Sequence, residues 1–245
     1  IELVGEITSV PYIKMTLSLL TQLGIKNSFV GNKIQVYPKH NIEKQTVVVE
    51  SDWSSASYFY SIVASLKIGS QIQLTAYKES SLQGDSCLAE IYQHFGVFTK
   101  FKENSIVLTK EKPTNLNSLE LDLVNAPDIA QTIVVSCFLE KIACNLTGLH
   151  TLKIKETDRL EALKEELTKL GANISVTDKS LHLEASKEMN SNKSIATYND
   201  HRMAMAFAPL ALKVPIQILN AEVVTKSYQK FWDDMKQIGI QIEKI

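Results

Sequence analysis

The sequence contains few of the residues that build disulfide frameworks or metal sites. Three of its 245 residues are cysteines, Cys87, Cys137 and Cys144, and no two of them form a CxxC motif. The five histidines are scattered, and no pair stands four residues apart. An odd and widely spaced set of cysteines argues against disulfides and against zinc. We therefore expect reduced thiols, a cytoplasmic location and no metal.

The chain also lacks an excess of charge and a long apolar run. Its 26 basic residues balance 27 acidic ones, so the formal net charge is −1. Such a chain has no overall positive field to attract nucleic acid or an anionic membrane surface. No apolar run approaches the roughly 18 residues of a spanning helix, and the first residues do not resemble a signal peptide. We expect neither nucleic acid nor membrane as a partner.

The sequence does contain a repeat. Four segments read as a helix that ends at an apolar residue, then a glycine, then a strand, and they recur about every 70 residues. A second alternating strand follows three of the glycines. The glycines are Gly24, Gly96, Gly171 and Gly239, and the second strands are predicted at 33–37, 105–108 and 180–183.

Further elements lie between these glycines, and together they predict the fold class. Helices alternate with strands, which indicates an α/β (α+β) protein built from βαβαββ units whose sheets pack around interior helices. The near-continuous apolar stretch MAMAFAPLAL predicts a buried helix that Pro209 bends. Strands are predicted at 46–49, 71–75, 119–123 and 143–147, and helices at 54–66, 128–140 and 201–212.

One charged string stands at the start of a strongly periodic helix. It is Lys155-Glu156-Thr157-Asp158-Arg159, in which Asp158 and Glu161 resemble a capping box. A cation at a helix N-terminus is disfavoured by about 0.3–1 kcal/mol unless an anion lies nearby. Similar placements are predicted for His201 and Arg202 behind the Asn199-Asp200 cap, for Lys226 before a Ser227 cap, and for Asp128 after Pro127.

Two interpretations of these helix starts remain open. Each can be an ordinary solvated cap. Together they can form one anion site, in which backbone N–H groups act with side-chain cations and two carboxylates carry protons. The cations would be Lys155, Arg159, Arg202 and Lys226, and the carboxylates Asp128 and Glu156.

Six strings in the chain resemble one family in order and spacing. GEITSVPYI, DWSSASYF, SLQGD, APDIAQT, KETDRL and TYNDHRMAMAF resemble the later half of the 3-phosphoshikimate 1-carboxyvinyltransferases, the EPSP synthases. The resemblance covers essentially the whole chain. It implies the inside-out, barrel-like α/β domains of the enolpyruvate transferases. Residues 1–49 would belong to the end of the N-terminal domain and residues 50–245 to the C-terminal domain.

The resemblance also implies roles for particular residues. Ser9, Tyr12 and Lys155 would bind shikimate 3-phosphate, and Asp128 would accept a proton from its attacking hydroxyl. Thr151 stands where many members have asparagine, so that contact differs here.

Phosphoenolpyruvate would be held by Arg159, Arg202 and Lys226. Glu156, with His201 as its polar neighbour, would move the proton at the methylene carbon. The implied reaction adds the hydroxyl to phosphoenolpyruvate and eliminates phosphate, without metal or organic cofactor, in the shikimate pathway. The alternatives are a non-catalytic anion-binding fragment and a UDP-N-acetylglucosamine enolpyruvyl transferase. Because the chain begins with Ile1, we expect an N-terminal part of the same enzyme to complete the site and the isolated chain to be weakly active or inactive.

Overall fold

The computed structural model describes residues 1–5, 7–41 and 43–245. The first elements are a helix and a hairpin. Helix α1 begins after Ser9 with Pro11 in its first turn, where a missing N–H costs nothing. The bounds are α1 Val10–Gln22, β1 Asn27–Val30 and β2 Lys33–Val36, and the two strands pair antiparallel.

The second group of elements contains the first interior helix. Helix α2 is capped by Asp52, whose side chain accepts from Ser54 N. The three strands of this group form an antiparallel sheet of order β3-β5-β4. The bounds are α2 Trp53–Ser65, β3 Gln71–Thr75, α3 Leu88–Ile91, β4 Val97–Lys102 and β5 Ser105–Lys110, with 3-10 turns at Gly84–Cys87 and Tyr92–Phe95.

The third group is a complete βαβαββ unit. Its sheet has the order β6-β7-β9-β8, in which β6 and β7 are parallel and the other pairs antiparallel. All ten residues of α4 are buried. The bounds are β6 Ser118–Asp122, α4 Ala130–Leu139, β7 Ala143–Thr147, α5 Arg159–Lys169, β8 Ile174–Val176 and β9 Leu181–Leu183, with 3-10 helices at Pro127–Ile129 and His150–Ile154.

The last group repeats the start of that unit. Strands β10 and β11 are parallel, like β6 and β7. The α-helix α6 ends at Phe207 and tightens into a 3-10 helix, because Pro209 has no N–H to give to the helix. The bounds are β10 Lys193–Ile195, α6 His201–Phe207, β11 Ile216–Ile218 and α7 Phe231–Gln237, with 3-10 helices at Ala208–Leu212 and Ala221–Lys226.

The predicted repeat is confirmed at its four glycines. Each follows a helix and has positive φ, and the three predicted second strands all form hairpins. At Gly96 a side chain is also excluded by space, since a Cβ would lie 2.0 Å from the Lys112 carbonyl oxygen. Helix α4 packs against both α2 and α6, and α2 also contacts the 3-10 helix that continues α6. Phe207 is fully buried as predicted.

Three local predictions were wrong. Residues 46–49 belong to no sheet of the described chain, and Val49 is 84% exposed. Residues 240–245, after Gly239, also form no strand. In both places apolar or β-branched side chains suggested a strand, but a strand requires a hydrogen-bonded neighbour. Helix α7 begins at Phe231 rather than after Ser227, so Lys226 ends a 3-10 helix instead of preceding an α-helix.

No helix of the described residues is both long enough and apolar enough to cross a membrane.

Candidate active site

Asp128 lies at the centre of a cluster of charged side chains. It stands in the 3-10 turn that leads into α4, which aims its carboxylate at the starts of α5 and α6. Oδ1 accepts from Arg159 NH1 at 2.9 Å and lies 3.4 Å from Lys155 Nζ. Oδ2 accepts from Arg202 NH2 at 3.3 Å. Two cations from the Lys155–Arg159 string and one from the start of α6 therefore converge on one carboxylate.

Arg159 is the buried link of this cluster. It is the first residue of α5, behind the Asp158 cap, whose carboxylate accepts from Leu160 N and Glu161 N. Besides Asp128, its guanidinium donates to Asp200 Oδ2 through Nε at 2.7 Å and to Glu156 Oε2 through NH2 at 2.6 Å. Each of its three nitrogens thus has a carboxylate partner.

Glu156 and His201 form the outer edge of the cluster. The Glu156 side chain is 37% exposed and its Oε1 lies 3.8 Å from His201 Nδ1, too far for a hydrogen bond. His201 Nδ1 is buried and has no hydrogen-bond partner in the described part of the chain. At this edge a partly exposed carboxylate therefore lies beside a ring nitrogen that has no hydrogen-bond partner among the described residues.

Opposing influences set the pKa values of the two carboxylates. Burial is the largest influence on Asp128 and raises its pKa, but Arg202, Lys155 and Arg159 together outweigh it and leave the pKa below the ordinary value. For Glu156, burial again acts upward, while a backbone hydrogen bond and Arg159 bring the pKa below its usual range. Both carboxylates are ionised at neutral pH in this state.

Burial and neighbouring charges also set the pKa values of His201 and Arg202, whose protonated forms are cations. Burial, and then the neighbouring Arg202, lower the pKa of His201, so the imidazole is neutral at pH 7. Burial would lower the pKa of Arg202, but nearby Tyr58, Asp128 and Asp85 raise it, so the guanidinium stays charged. The Asp200 cap also fixes the backbone here, because its Oδ1 accepts from Arg202 N at 2.8 Å.

The remaining predicted residues lie at different distances from this cluster. Lys155 is part of it through Asp128. Lys226 contacts it indirectly: its Nζ donates to Asn199 O at 2.7 Å and Oδ1 at 3.1 Å, next to Asp200. Burial, and then the charges of Asp85 and Asp128, raise the pKa of Tyr12.

The structure does not bring Ser9 into the cluster. Ser9 is an exposed residue in left-handed backbone (φ 56°), and its side chain makes no hydrogen bond within the described residues. Thr151 lies in the 3-10 helix before Lys155, and its Oγ1 is buried without a partner in the same set of residues. The roles implied for both remain predictions.

The sequence analysis did not identify Asp200 and Asp85 as buried carboxylates. Asp200 was assigned only a capping role, yet it is fully buried and also holds Arg159. Asp85, in the SLQGD string, accepts from Ser54 Oγ, while its Oδ1 is unpartnered among the described residues. Burial raises the pKa of Asp85 to about 6, against the lowering effects of Ser54 and Arg202. The burial of both depends on tertiary contacts that sequence periodicity does not show.

The charges within the cluster nearly cancel. Three cations face three carboxylates, so the helix starts are already neutralised without a bound anion. The sequence analysis predicted Asp128 and Glu156 among these cations, and the structure adds Asp200 as a third carboxylate. A ligand anion must therefore compete with Asp128 and Glu156 for Lys155, Arg159 and Arg202. Such competition couples anion binding to the protonation of the two carboxylates.

The chain has the α/β fold of the enolpyruvyl transferases. It superposes on an EPSP synthase from Acinetobacter baumannii with a TM-score of 0.77 at 22% identity, over 92% of this chain and 54% of that one. The family model described as EPSP synthase (3-phosphoshikimate 1-carboxyvinyltransferase) matches residues 1–235. The chain belongs to the EPSP synthase family.

Curated relatives agree with this assignment. A 3-phosphoshikimate 1-carboxyvinyltransferase of Bacteroides fragilis is 45% identical over 99% of this chain and 60% of its own length. One of Neisseria meningitidis is 32% identical over 95% of this chain and 54% of its own length. The chain thus spans a little over half the length of the relatives it matches.

Proposed function

We propose that the protein transfers the enolpyruvyl group of phosphoenolpyruvate to shikimate 3-phosphate and releases phosphate, with this chain contributing one half of the site. The observation that carries the proposal is the Asp128 carboxylate bound by Lys155, Arg159 and Arg202, with Glu156 and His201 beside it. Two anionic substrates require cations, and two proton transfers require carboxylates within reach. The membership of the family supports the same activity.

In the addition step, a shikimate hydroxyl oxygen forms a bond to C2 of phosphoenolpyruvate and C3 gains a proton. Asp128 accepts the hydroxyl proton in this proposal. Its lowered pKa keeps it ionised but makes it a weak base. When the substrate anions draw Lys155 and Arg202 toward themselves, the stabilisation of the carboxylate weakens and its pKa rises. Substrate binding would therefore activate the base.

Glu156 supplies the proton to C3, and His201 assists it. Phosphoenolpyruvate beside Glu156 would compete for Arg159 and raise the pKa of the carboxyl group by charge repulsion, so that Glu156 takes up a proton from water before the addition step. In the second step C3 returns a proton to Glu156, the bond from C2 to the phosphate oxygen breaks, and the enolpyruvyl ether and phosphate leave. Arg159, Arg202 and Lys226 stabilise the charge of the departing phosphate.

The division of the chain is also part of the proposal. We assign residues 1–49 to one domain and 50–245 to the other. Glu50 is held by residues of the second part, since its Oε1 accepts from Trp53 Nε1 at 2.8 Å and its Oε2 accepts from Ser81 Oγ at 2.9 Å. The portion of the relatives that this chain does not cover would complete the substrate site. The free thiols support a cytoplasmic location.

Phosphate release from phosphoenolpyruvate and shikimate 3-phosphate tests the proposal. The 245-residue chain is assayed alone and with the complementary part of the Bacteroides fragilis relative added. We expect little release alone, because half a cleft neither excludes water nor fixes both reactants, and clear release after addition. The complemented Asp128→Ala and Glu156→Ala variants should lose at least about a hundredfold.

The same assay separates the alternatives. A non-catalytic anion-binding chain would bind phosphate but release none after complementation. A UDP-N-acetylglucosamine transferase would release phosphate only with that sugar nucleotide. Full release from the isolated chain, or unchanged release in both variants, would contradict the proposed sharing of the site.

A further inference from the structure

Helix α5 contacts the segment that leads into α6 at two points. Arg159 and Glu166 stand seven residues apart, so they share one face of the helix. Arg159 Nε binds Asp200 Oδ2 at the first point. At the second, Glu166 Oε2 accepts from Ala196 N at 3.2 Å, and its Oε1 lies 2.6 Å from the Tyr198 hydroxyl, which also lies 2.5 Å from Glu165 Oε2. The charged face of α5 therefore fixes both ends of residues 196–200.

Glu166 is an unusual residue for a surface helix. It is fully buried, and its charge is balanced by Lys169 Nζ at 2.7 Å from each carboxylate oxygen. A buried carboxylate is costly unless it is paired and hydrogen-bonded. Here its oxygens are used to hold a backbone N–H and a phenol of the adjoining segment.

The segment that Glu166 holds has a backbone that needs support. Tyr198 and Asn199 both have left-handed backbone, with φ 53° and 58°. This conformation costs about 1 kcal/mol or more for a residue other than glycine. It sends the next residue, Asp200, inward to Arg159 and to its capping bond with Arg202 N, and it turns Asn199 O to Lys226. Asp200, the start of α6 and Lys226 are therefore oriented by these two residues.

We propose that Glu166 is a positioning residue, which acts through Tyr198 and Asn199 to set Asp200, His201, Arg202 and Lys226. The inference rests on the proposed function for its effect on phosphoenolpyruvate, but its structural content is independent of that function. Glu166 itself touches none of the groups that would contact substrate. Its effect is transmitted along four residues of backbone.

The test compares matched Glu→Gln changes in this chain. Glu166→Gln alters the buried residue, and Glu161→Gln alters an exposed one that has the same spacing to its lysine, Lys164. The Arg202 Nε–H signal and the His201 ring signals are followed by NMR, together with the pH titration of His201. Phosphoenolpyruvate affinity is measured by calorimetry for each variant after the complementary part has been added.

We expect Glu166→Gln to shift the Arg202 and His201 signals and to weaken phosphoenolpyruvate binding about tenfold, while Glu161→Gln changes neither. Tyr198→Phe, which keeps the buried carboxylate with Lys169 and Ala196 N, should give the same direction of change and serves if Glu166→Gln does not fold. Unchanged Arg202 and His201 signals in a folded Glu166→Gln or Tyr198→Phe variant would overturn the inference. If those signals shift but the unaltered chain, complemented as in the phosphate-release assay, binds no phosphoenolpyruvate, the positioning role stands and the proposed function fails.

Discussion

Arg159 and Asp200 form an ion pair that is buried on both sides. Arg159 Nε lies 2.7 Å from Asp200 Oδ2, the Arg159 side chain is 2% exposed, and that of Asp200 is not exposed at all. The other oxygen of Asp200 caps α6. One carboxylate thus joins the first residue of α5 to the first turn of α6, and the relative position of the two charged helix starts depends on it.

Loss of Asp200 should strongly destabilise the protein. Asp200→Ala removes one partner of a buried pair and a helix cap, and we expect a loss of about 3–5 kcal/mol in the free energy of unfolding, measured with urea. Asp200→Asn retains an oxygen for the cap and should cost less. Asp178→Asn, which alters the exposed partner of Lys153, is the control and should leave the midpoint unchanged. Equal midpoints for Asp200→Ala and Asp178→Asn would contradict the structural role of Asp200.

The second prediction concerns the interior helix α6. Phe207 is fully buried, so Phe207→Ala should lower the free energy of unfolding by about 3–5 kcal/mol through lost burial and a cavity. Ile68 is 59% exposed after α2, and Ile68→Ala should change stability little. Denaturant unfolding measures both. A Phe207→Ala midpoint equal to that of Ile68→Ala would show that the helix is not in the core.

How far the sequence predicts this structure depends on the range of the forces involved. The four glycines, the Asp158 cap and the buried helices were predictable because each depends on residues close in sequence. The strand predicted at 46–49 does not form, because a strand also needs a pairing neighbour, and these valines have none in the described chain.

Of the candidate site, too, only the features that depend on residues close in sequence could be predicted. The cations at the starts of α5 and α6 could be identified from their caps, whereas Lys226 could not be placed, because Ser227 is a good capping residue where no α-helix starts. The pairing of Arg159 with Asp200 joins residues 41 positions apart. Only the packing of α5 against the segment before α6 reveals that those cations are already neutralised.

The third prediction is a pH-dependent gain of stability from Asp85→Asn. Burial raises the Asp85 pKa to about 6 from an unfolded value near 3.8. A raised folded pKa gives stability that is complete below about pH 3.8 and is lost as the pH rises through about 6. Replacement by asparagine removes that loss, so the variant should gain up to about 3 kcal/mol on the wild type between pH 4 and pH 8.

Urea unfolding at both pH values measures this gain. The exposed Glu103→Gln, in the turn between β4 and β5, is the control and should show no such pH-dependent difference. A gain for Asp85→Asn that is equal at pH 4 and pH 8 would show that Asp85 titrates normally in the folded protein.

The fourth prediction concerns the titration of His201. Burial and Arg202 lower its pKa, whereas Asp200 and Glu156 raise it. NMR should therefore find its pKa below the usual value of about 6.5. Glu156→Gln should lower the pKa further, because it removes a carboxylate 3.8 Å from Nδ1. Glu161→Gln should leave the titration unchanged, and a rise of the His201 pKa in Glu156→Gln would contradict the assigned electrostatics.

The last prediction is that anion affinity responds in opposite directions to the two partners Arg202 and Asp128. In this structure Asp128 engages Lys155, Arg159 and Arg202, so inorganic phosphate must displace it and should bind weakly to the unaltered chain. Arg202→Ala should abolish binding. Asp128→Asn keeps the shape of the side chain, frees the cations from a negative charge and should tighten binding about tenfold.

Calorimetric titration with phosphate at low ionic strength measures all three proteins. Lys153→Ala provides the matched control, because Lys153 pairs with Asp178 and Asp158 outside the cluster and its loss should not alter phosphate affinity. Added salt should weaken binding in each protein that binds, as expected for an electrostatic site. Weaker phosphate binding by Asp128→Asn would mean that this carboxylate organises the cations for the anion rather than competing with it, and the proposed rise of its pKa on substrate binding would then lose its basis.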